Sequence, residues 1–263
     1  MTGTGPPIEP ESSEPPSSEP SPIAPPSSGP SSTQPEPAGF AAVVLSGGAA
    51  RRMGGADKPA LEVGGRPMVD RVLAAVADAD PRVVVGPAGD LPAGVRATRE
   101  QPPGGGPVAA LAAGLALLPT PIPAHPPGTE SPSAAPSGTA SPSAAPSGIG
   151  VVALLAADLP LLTTEAVRQL RTALSQAADA DGVVFVDDAG RAQFLCGVWR
   201  VAALRAALSR VAAARDGILT GTSMRTLIAE LTVTEVAWQG TGPPPWFDCD
   251  TEDDVRRAEE WIS

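Results

Sequence analysis

The sequence predicts an α/β fold: three layers, with a mostly parallel mixed sheet between helices. Two observations carry this. Short apolar runs of strand length alternate with longer amphipathic runs of helical period from residue 40 to the end. A glycine-rich loop opens directly from the first apolar run, and Asp158 follows another, which is where open parallel sheets bind ligands.

The elements follow in order. Phe40–Leu45 (FAAVVL) reads as a buried strand running straight into Ser46-Gly47-Gly48. Pro67 suits a first helical turn, and Met68–Ala79 places Val69, Val72, Leu73 and Val76 on one face. Arg82–Val85 is a second strand stopped by Gly86-Pro87, and Pro107 opens a helix of small residues reaching Leu118. Val151–Ala156 (VVALLA) is another buried strand, followed by a helix that Thr163 or Thr164 caps and that carries Val167 and Leu170. Val183–Val186 and Gln193–Val198 are strands around a turn at 188–190. Val201–Ala214 and Thr222–Ala229 read as helices, and Leu231–Trp238 alternates as a strand should. The last helix starts at Thr251, with Asp254 three residues on in a capping-box arrangement.

Two segments cannot contribute to the core. Residues 1–38 are rich in Pro and Ser, and their charges (Glu9, Glu11, Glu14, Glu19, Glu36) share one sign, so they are expected to form a disordered tail. They lack the basic and apolar regions of a secretory signal. Within the domain expected at 39–263, residues 119–148 carry SPSAAPSG at 131–138 and again at 141–148 and read as a flexible insertion. What remains is long enough for one sizeable core.

Composition excludes several function classes. A net charge of −11 argues against general nucleic-acid binding. No apolar run is long enough for a membrane helix. Cys196 and Cys249 are too few for a disulfide framework, which fits a reducing, cytoplasmic location. His125, the only histidine, lies in the insertion, which removes a Ser–His–Asp mechanism and a histidine metal site.

The loop LSGGAARRMGGADKPAL at 45–61 carries the chemistry. Gly47 and Gly48 let backbone amides turn toward an anion, while Arg51, Arg52 and Lys58, the only lysine in the chain, supply positive charge. That combination suits a triphosphate. It is not a P-loop, because Asp57 precedes Lys58 and Pro59 follows it. A dinucleotide fingerprint forced onto 104–109 fails, since Pro102-Pro103 stand where a strand is needed.

The order Leu45, Ser46, Gly47, Gly48, Arg52, Met53, Gly54, Asp57, Lys58, Leu61, Gly65, Pro67 resembles the signature of the molybdenum cofactor guanylyltransferases. These sit within the wider group of Rossmann-like nucleotidyltransferases. The resemblance continues at Gly106-Pro107, Asp158-x-Pro160, Gln193–Arg200 and Asp248-Cys249-Asp250-Thr251. It implies an Mg²⁺-dependent enzyme that transfers a nucleotide from GTP, or another nucleoside triphosphate, to the terminal phosphate of a molybdopterin-type acceptor and releases pyrophosphate. It also leaves room for transient contact with molybdenum-insertion or molybdoenzyme proteins, with neither nucleic acid nor membrane involved. A cytidylyltransferase or sugar-phosphate nucleotidyltransferase is the alternative within the same chemistry. A non-catalytic nucleotide-binding module is the alternative from another class.

Nucleotidyl transfer needs positioning and charge neutralisation, which a Mg²⁺ on one or two carboxylates and the substrate phosphates meets. Asp158 and Asp250 are the expected metal ligands; Lys58, Arg52 and Asp158 are the expected catalytic groups. If 247–250 is extended, Asp248 and Asp250 point the same way. The resemblance places base contacts in the glycine loop (Leu45, Ser46, Gly47, Gly48, Arg51, Arg52, Lys58) and in Arg99–Pro107. In the latter, Gly106 and Pro107 match the family, and Glu100 is the nearest carboxylate for a guanine N1–H and amine.

Overall fold

The structure, a computed structural model, describes residues 1–3, 39–47, 61–119 and 149–262. The expected tail and insertion lie almost wholly outside these, as do Gly48, Arg51, Arg52 and Lys58.

Thirteen elements follow one another in the described residues: β1 (Ala41–Leu45), α1 (Met68–Ala75), β2 (Arg82–Val85), β3 (Val95–Thr98), α2 (Pro107–Ala116), β4 (Val151–Ala156), α3 (Thr164–Gln176), β5 (Gly182–Val186), β6 (Ala192–Arg200), α4 (Val201–Ala213), α5 (Met224–Ile228), β7 (Val233–Val236) and α6 (Glu252–Ile262). One seven-stranded sheet runs in the order β3-β2-β1-β4-β6-β5-β7. Its neighbours are parallel except at β6, which pairs antiparallel with β4 and with β5. The expected mostly parallel mixed sheet is therefore present. The lone reversal follows from the tight β5–β6 turn, since a turn this short can join only antiparallel strands.

Alternation along β1 divides the core between two faces. Ala42 and Val44 pack with Val72 and Leu73 of α1 and Leu170 of α3. Ala41, Val43 and Leu45 pack with Leu111 of α2, Leu204 of α4 and Leu227 of α5. A strand covered on both sides reads as a continuous apolar run, which is why FAAVVL and VVALLA were legible as strands.

Element ends show where local signals gave way. The helix expected over 68–79 stops at Ala75; Asp80 N instead donates to Phe40 O (2.9 Å), turning the chain toward β2, although Val76 and Ala79 stay buried. Strand β3 (VRAT) was not expected, being short, partly exposed and hydrogen-bonded on one side only. Thr163 rather than Thr164 caps α3, accepting from Ala166 N at 3.2 Å. The helix expected over 222–229 shortens to α5, capped by Ser223, and the strand expected over 231–238 shortens to β7. The capping box forms as expected: Thr251 N donates to Asp254 Oδ2 (2.9 Å), and Asp254 N donates to Thr251 Oγ1 (3.2 Å). Among the described residues no helix is long and apolar enough to cross a membrane.

Candidate active site

The carboxyl ends of β1, β2 and β4 are tied together beyond the strands themselves. Ser46 N donates to Val85 O (2.8 Å), Gly86 N to Thr98 O (2.9 Å) and Ala157 N to Leu45 O (3.0 Å). The Ser46 hydroxyl, buried, donates to Pro87 O, so it braces the loop rather than facing solvent. Gly86 adopts φ +117°, and a Cβ there would lie 2.9 Å from Gly47 N. Only glycine lets the β2 turn approach the start of the glycine loop this closely. Leu45, Ser46 and Gly47 thus sit on a fixed platform.

Glu100 faces that platform. It is 6% exposed, and Oε1 accepts from Gly104 N at 2.9 Å. A Cβ on Gly47 would stand 3.9 Å from the same oxygen. Oε2 is buried with no hydrogen-bond partner among the described residues. A buried oxygen left without a donor costs about 1–3 kcal/mol, more when charged, so a donor from a water, a ligand or the rest of the chain would relieve it. Gly106, with φ +93°, turns this loop into α2, where Pro107 takes the first helical position and needs no N–H partner. Gly221 N donates to Gly105 O (2.9 Å), fastening the loop before α5 to the same wall.

Asp158 follows β4, between the loops after β1–β3 and the β5–β6 half of the sheet. Its carbonyl accepts from Cys249 N (3.2 Å), which brings the two carboxylate-bearing segments together. Cys249 is fully buried while Asp248 and Asp250 are exposed, the alternation that places both aspartates on one side. Asp254 Oδ2 accepts from Asp250 N (3.1 Å), so the α6 cap also holds the Asp250 backbone. Below, Cys249, Leu161, Val63, Met68 and Ala258 form a small separate core. Gly64 N donates to Glu259 Oε1 (3.1 Å), linking α6 to the segment after the glycine loop. Among the described residues no three His, Cys, Asp or Glu side chains group to hold a metal alone. The Cys249–Asp158 bond instead joins two aspartate-bearing segments. One or two carboxylates from them would suit a divalent cation such as Mg²⁺, which takes its other ligands from phosphates and water.

On the far side of Asp248 lies a cleft of about 800 Å³, bordered by the β5–β6 turn, Arg225, Trp246 and Phe247. Phe185 positions Trp246, with ring centroids 5.3 Å apart. Asp187 organises the turn, accepting from Ala189 N (3.0 Å), Arg191 N (2.8 Å) and Arg191 Nε (2.9 Å). The Arg191 N–H, foremost, holds its carboxyl below the usual aspartate range, against the opposing effect of burial. Beneath the cleft's rim, burial pushes the Cys196 thiol up to about 12.

The described residues therefore place Leu45, Ser46, Gly47, Glu100, Gly106 and Pro107 on the β1–β3 side, with Asp158 next to the Ala157 that bonds to Leu45 O, and the Asp250 segment joined to Asp158 through Cys249. The lining residues Asp187, Gln193, Arg225, Trp246 and Phe247 were not anticipated as a site. The signals available were Gln193 at the head of a family-like stretch and the adjacency of Phe247 to Asp248.

Comparison with known proteins gives the family and the fold. A family model described as "MobA-like NTP transferase domain" matches residues 42–233. The chain is 30% identical over 223 residues to a molybdenum cofactor guanylyltransferase of Bradyrhizobium sp. (strain ORS 278), covering 82% of this chain and 90% of that protein. Among solved structures, molybdopterin-guanine dinucleotide biosynthesis protein A from Archaeoglobus fulgidus is similar, with a TM-score of 0.54, 18% identity and 84% and 97% of the two chains covered. So is 2-C-methyl-D-erythritol 4-phosphate cytidylyltransferase from Thermus thermophilus, with a TM-score of 0.53, 18% identity and 85% and 98% covered. At these identities the two structures share the fold.

Proposed function

The chain belongs to the MobA-like NTP transferase family and is a nucleotidyltransferase of molybdenum cofactor biosynthesis; from that premise we propose that it transfers GMP from GTP to the terminal phosphate of molybdopterin. The observation that carries the choice of guanine is the buried Glu100 carboxylate, whose Oε1 lies beside Gly47 and whose Oε2 has no hydrogen-bond partner among the described residues. Guanine presents two adjacent donors, N1–H and the exocyclic amine, to a carboxylate. The Watson–Crick edge of cytosine presents one donor beside acceptors that a carboxylate would repel.

In this reading the Ser46–Gly47 backbone and Gly106-Pro107 border the base and ribose, with Gly48 continuing the loop. Arg51, Arg52 and Lys58 neutralise the triphosphate. A phosphate oxygen of the acceptor attacks the α-phosphorus of GTP, the bond to the bridging oxygen breaks, and pyrophosphate leaves. Asp158 and Asp250 would hold Mg²⁺, which when bound supplies charge neutralisation at the reacting phosphates. The chain's own contribution is orientation: the sheet edge presents the nucleotide on one side of Asp158 and the acceptor cleft on the other.

The test is pyrophosphate release with each nucleoside triphosphate, with and without molybdopterin. Release that requires both GTP and molybdopterin is expected. Equal release with CTP would move the assignment to a cytidylyltransferase, and GTP binding with no release to a nucleotide-binding module.

A further inference from the structure

The cleft beside Asp248 has a hydrogen-bonding arrangement that the fold itself does not need. We propose that Gln193 is the acceptor-side specificity residue, its side-chain carbonyl reading an N–H edge of a planar heterocycle, and that Asp187 is its positioning residue. This rests on the reading above that the acceptor is a pterin-bearing phosphate.

The argument is one of hydrogen-bonding capacity. A glutamine amide has two N–H donors, and Gln193 Nε2 spends them on Asp187 Oδ2 (3.2 Å) and Arg191 O (3.1 Å). Both partners on that side are acceptors, so they fix the amide with its nitrogen toward the turn. The turn does not depend on these bonds, because Asp187 already accepts from Ala189 N, Arg191 N and Arg191 Nε. What Gln193 has left is Oε1, an acceptor only, on a side chain that lines the cleft. Arg225 lines the same cleft and is exposed, and its side chain has no hydrogen bond or ion pair among the described residues, so it offers donors. Trp246 and Phe247 add aromatic surface. Acceptor, donor and aromatic surface together complement a flat ring whose edge carries an exocyclic amine, facing Gln193 Oε1, and a ring carbonyl, facing Arg225. The chain passes directly from Phe247 through Asp248 to Asp250, so a ring seated here would have its phosphate-bearing arm beside the expected metal-binding aspartates.

The experiment uses the full chain and two fluorescent probes: pterin, and lumazine, in which a carbonyl replaces the 2-amino group. Wild type should bind pterin roughly tenfold or more tightly than lumazine, the effect of one hydrogen bond gained against one repulsive contact. Gln193→Ala should erase that preference and raise the Kd for pterin by roughly tenfold while leaving Mg·GTP affinity unchanged. Asp187→Asn should reduce the preference while Gln193 remains in place, as a positioning role requires. Gln193→Met, which keeps the volume, serves if the alanine variant lowers the melting temperature. A folded Gln193→Ala protein with an unchanged pterin-to-lumazine ratio, or a wild type indifferent to the two, overturns the proposal. An enzyme that makes the guanine dinucleotide but has the same molybdopterin KM in Gln193→Ala overturns this inference and leaves the functional reading standing. Gln193-dependent pterin binding without GMP transfer does the reverse.

Discussion

Glu100→Gln should move stability and function in opposite directions. The side chain is 6% exposed, with Oε1 engaged by Gly104 N and Oε2 without a partner among the described residues. Glutamine keeps an oxygen for Gly104 and replaces the unpaired carboxylate oxygen with a neutral amide nitrogen, which is less costly to leave buried. Relief of part of a penalty of about 1–3 kcal/mol should leave the nucleotide-free protein no less stable, with a gain of about 1 kcal/mol raising Tm by roughly 2–4 °C. In the GTP complex the same change puts N–H groups against the N–H groups of guanine. Loss of hydrogen bonds to a charged acceptor, about 1.5–3 kcal/mol, weakens GTP binding by roughly 10- to 100-fold. Preference over ITP, which lacks the exocyclic amine, should shrink with it. Thermal melts without nucleotide, followed by titrations with Mg·GTP and Mg·ITP, measure both. A variant with wild-type GTP affinity and GTP-to-ITP ratio would refute the reasoning. Should the nucleotide-free Tm instead fall by several degrees with binding intact, Glu100 is a staple for the 100–106 loop.

Three further outcomes are expected. Asp158→Ala should lose Mg²⁺-dependent turnover while Tm changes little, because its carboxylate stands at a strand end outside the core; retained Mg²⁺ dependence would place the metal elsewhere. Lys58→Ala should lose on the order of 10²–10³ in rate, and Lys58→Arg should be nearly as poor, since a guanidinium fork does not replace a compact ammonium; wild-type kcat in Lys58→Arg would remove that residue's special role. Cys196, buried and with its thiol raised to about 12, should resist iodoacetamide at pH 8 until the protein is unfolded, with mass spectrometry of native and denatured samples as the check.

The sequence by itself determined what depends on local burial and local backbone chemistry. Two-sided burial leaves a continuous apolar run, so β1 and β4 were readable, and the 3.6-residue period marked α1 and α3. The Thr251–Asp254 cap and Asp158 at a strand end were legible for the same reason, since each is a statement about adjacent residues. Edge strand β3 escaped because, paired on one side and partly exposed, it carries no apolar signature.

Only the tertiary structure decided the rest, because sheet order sets which distant segments become neighbours. The insertion of β6 between β4 and β5 carries Gln193 and the Asp187 turn to the carboxyl edge beside Asp248. The bond from Cys249 N to Asp158 O joins two aspartate segments that no spacing rule connects. Glu100 could be named from sequence as a nearby carboxylate, but only the fold sets its Oε1 beside Gly47 and buries its Oε2 without a partner among the described residues. Periodicity reports how much of a residue is covered, whereas whether its hydrogen bonds are met depends on what does the covering.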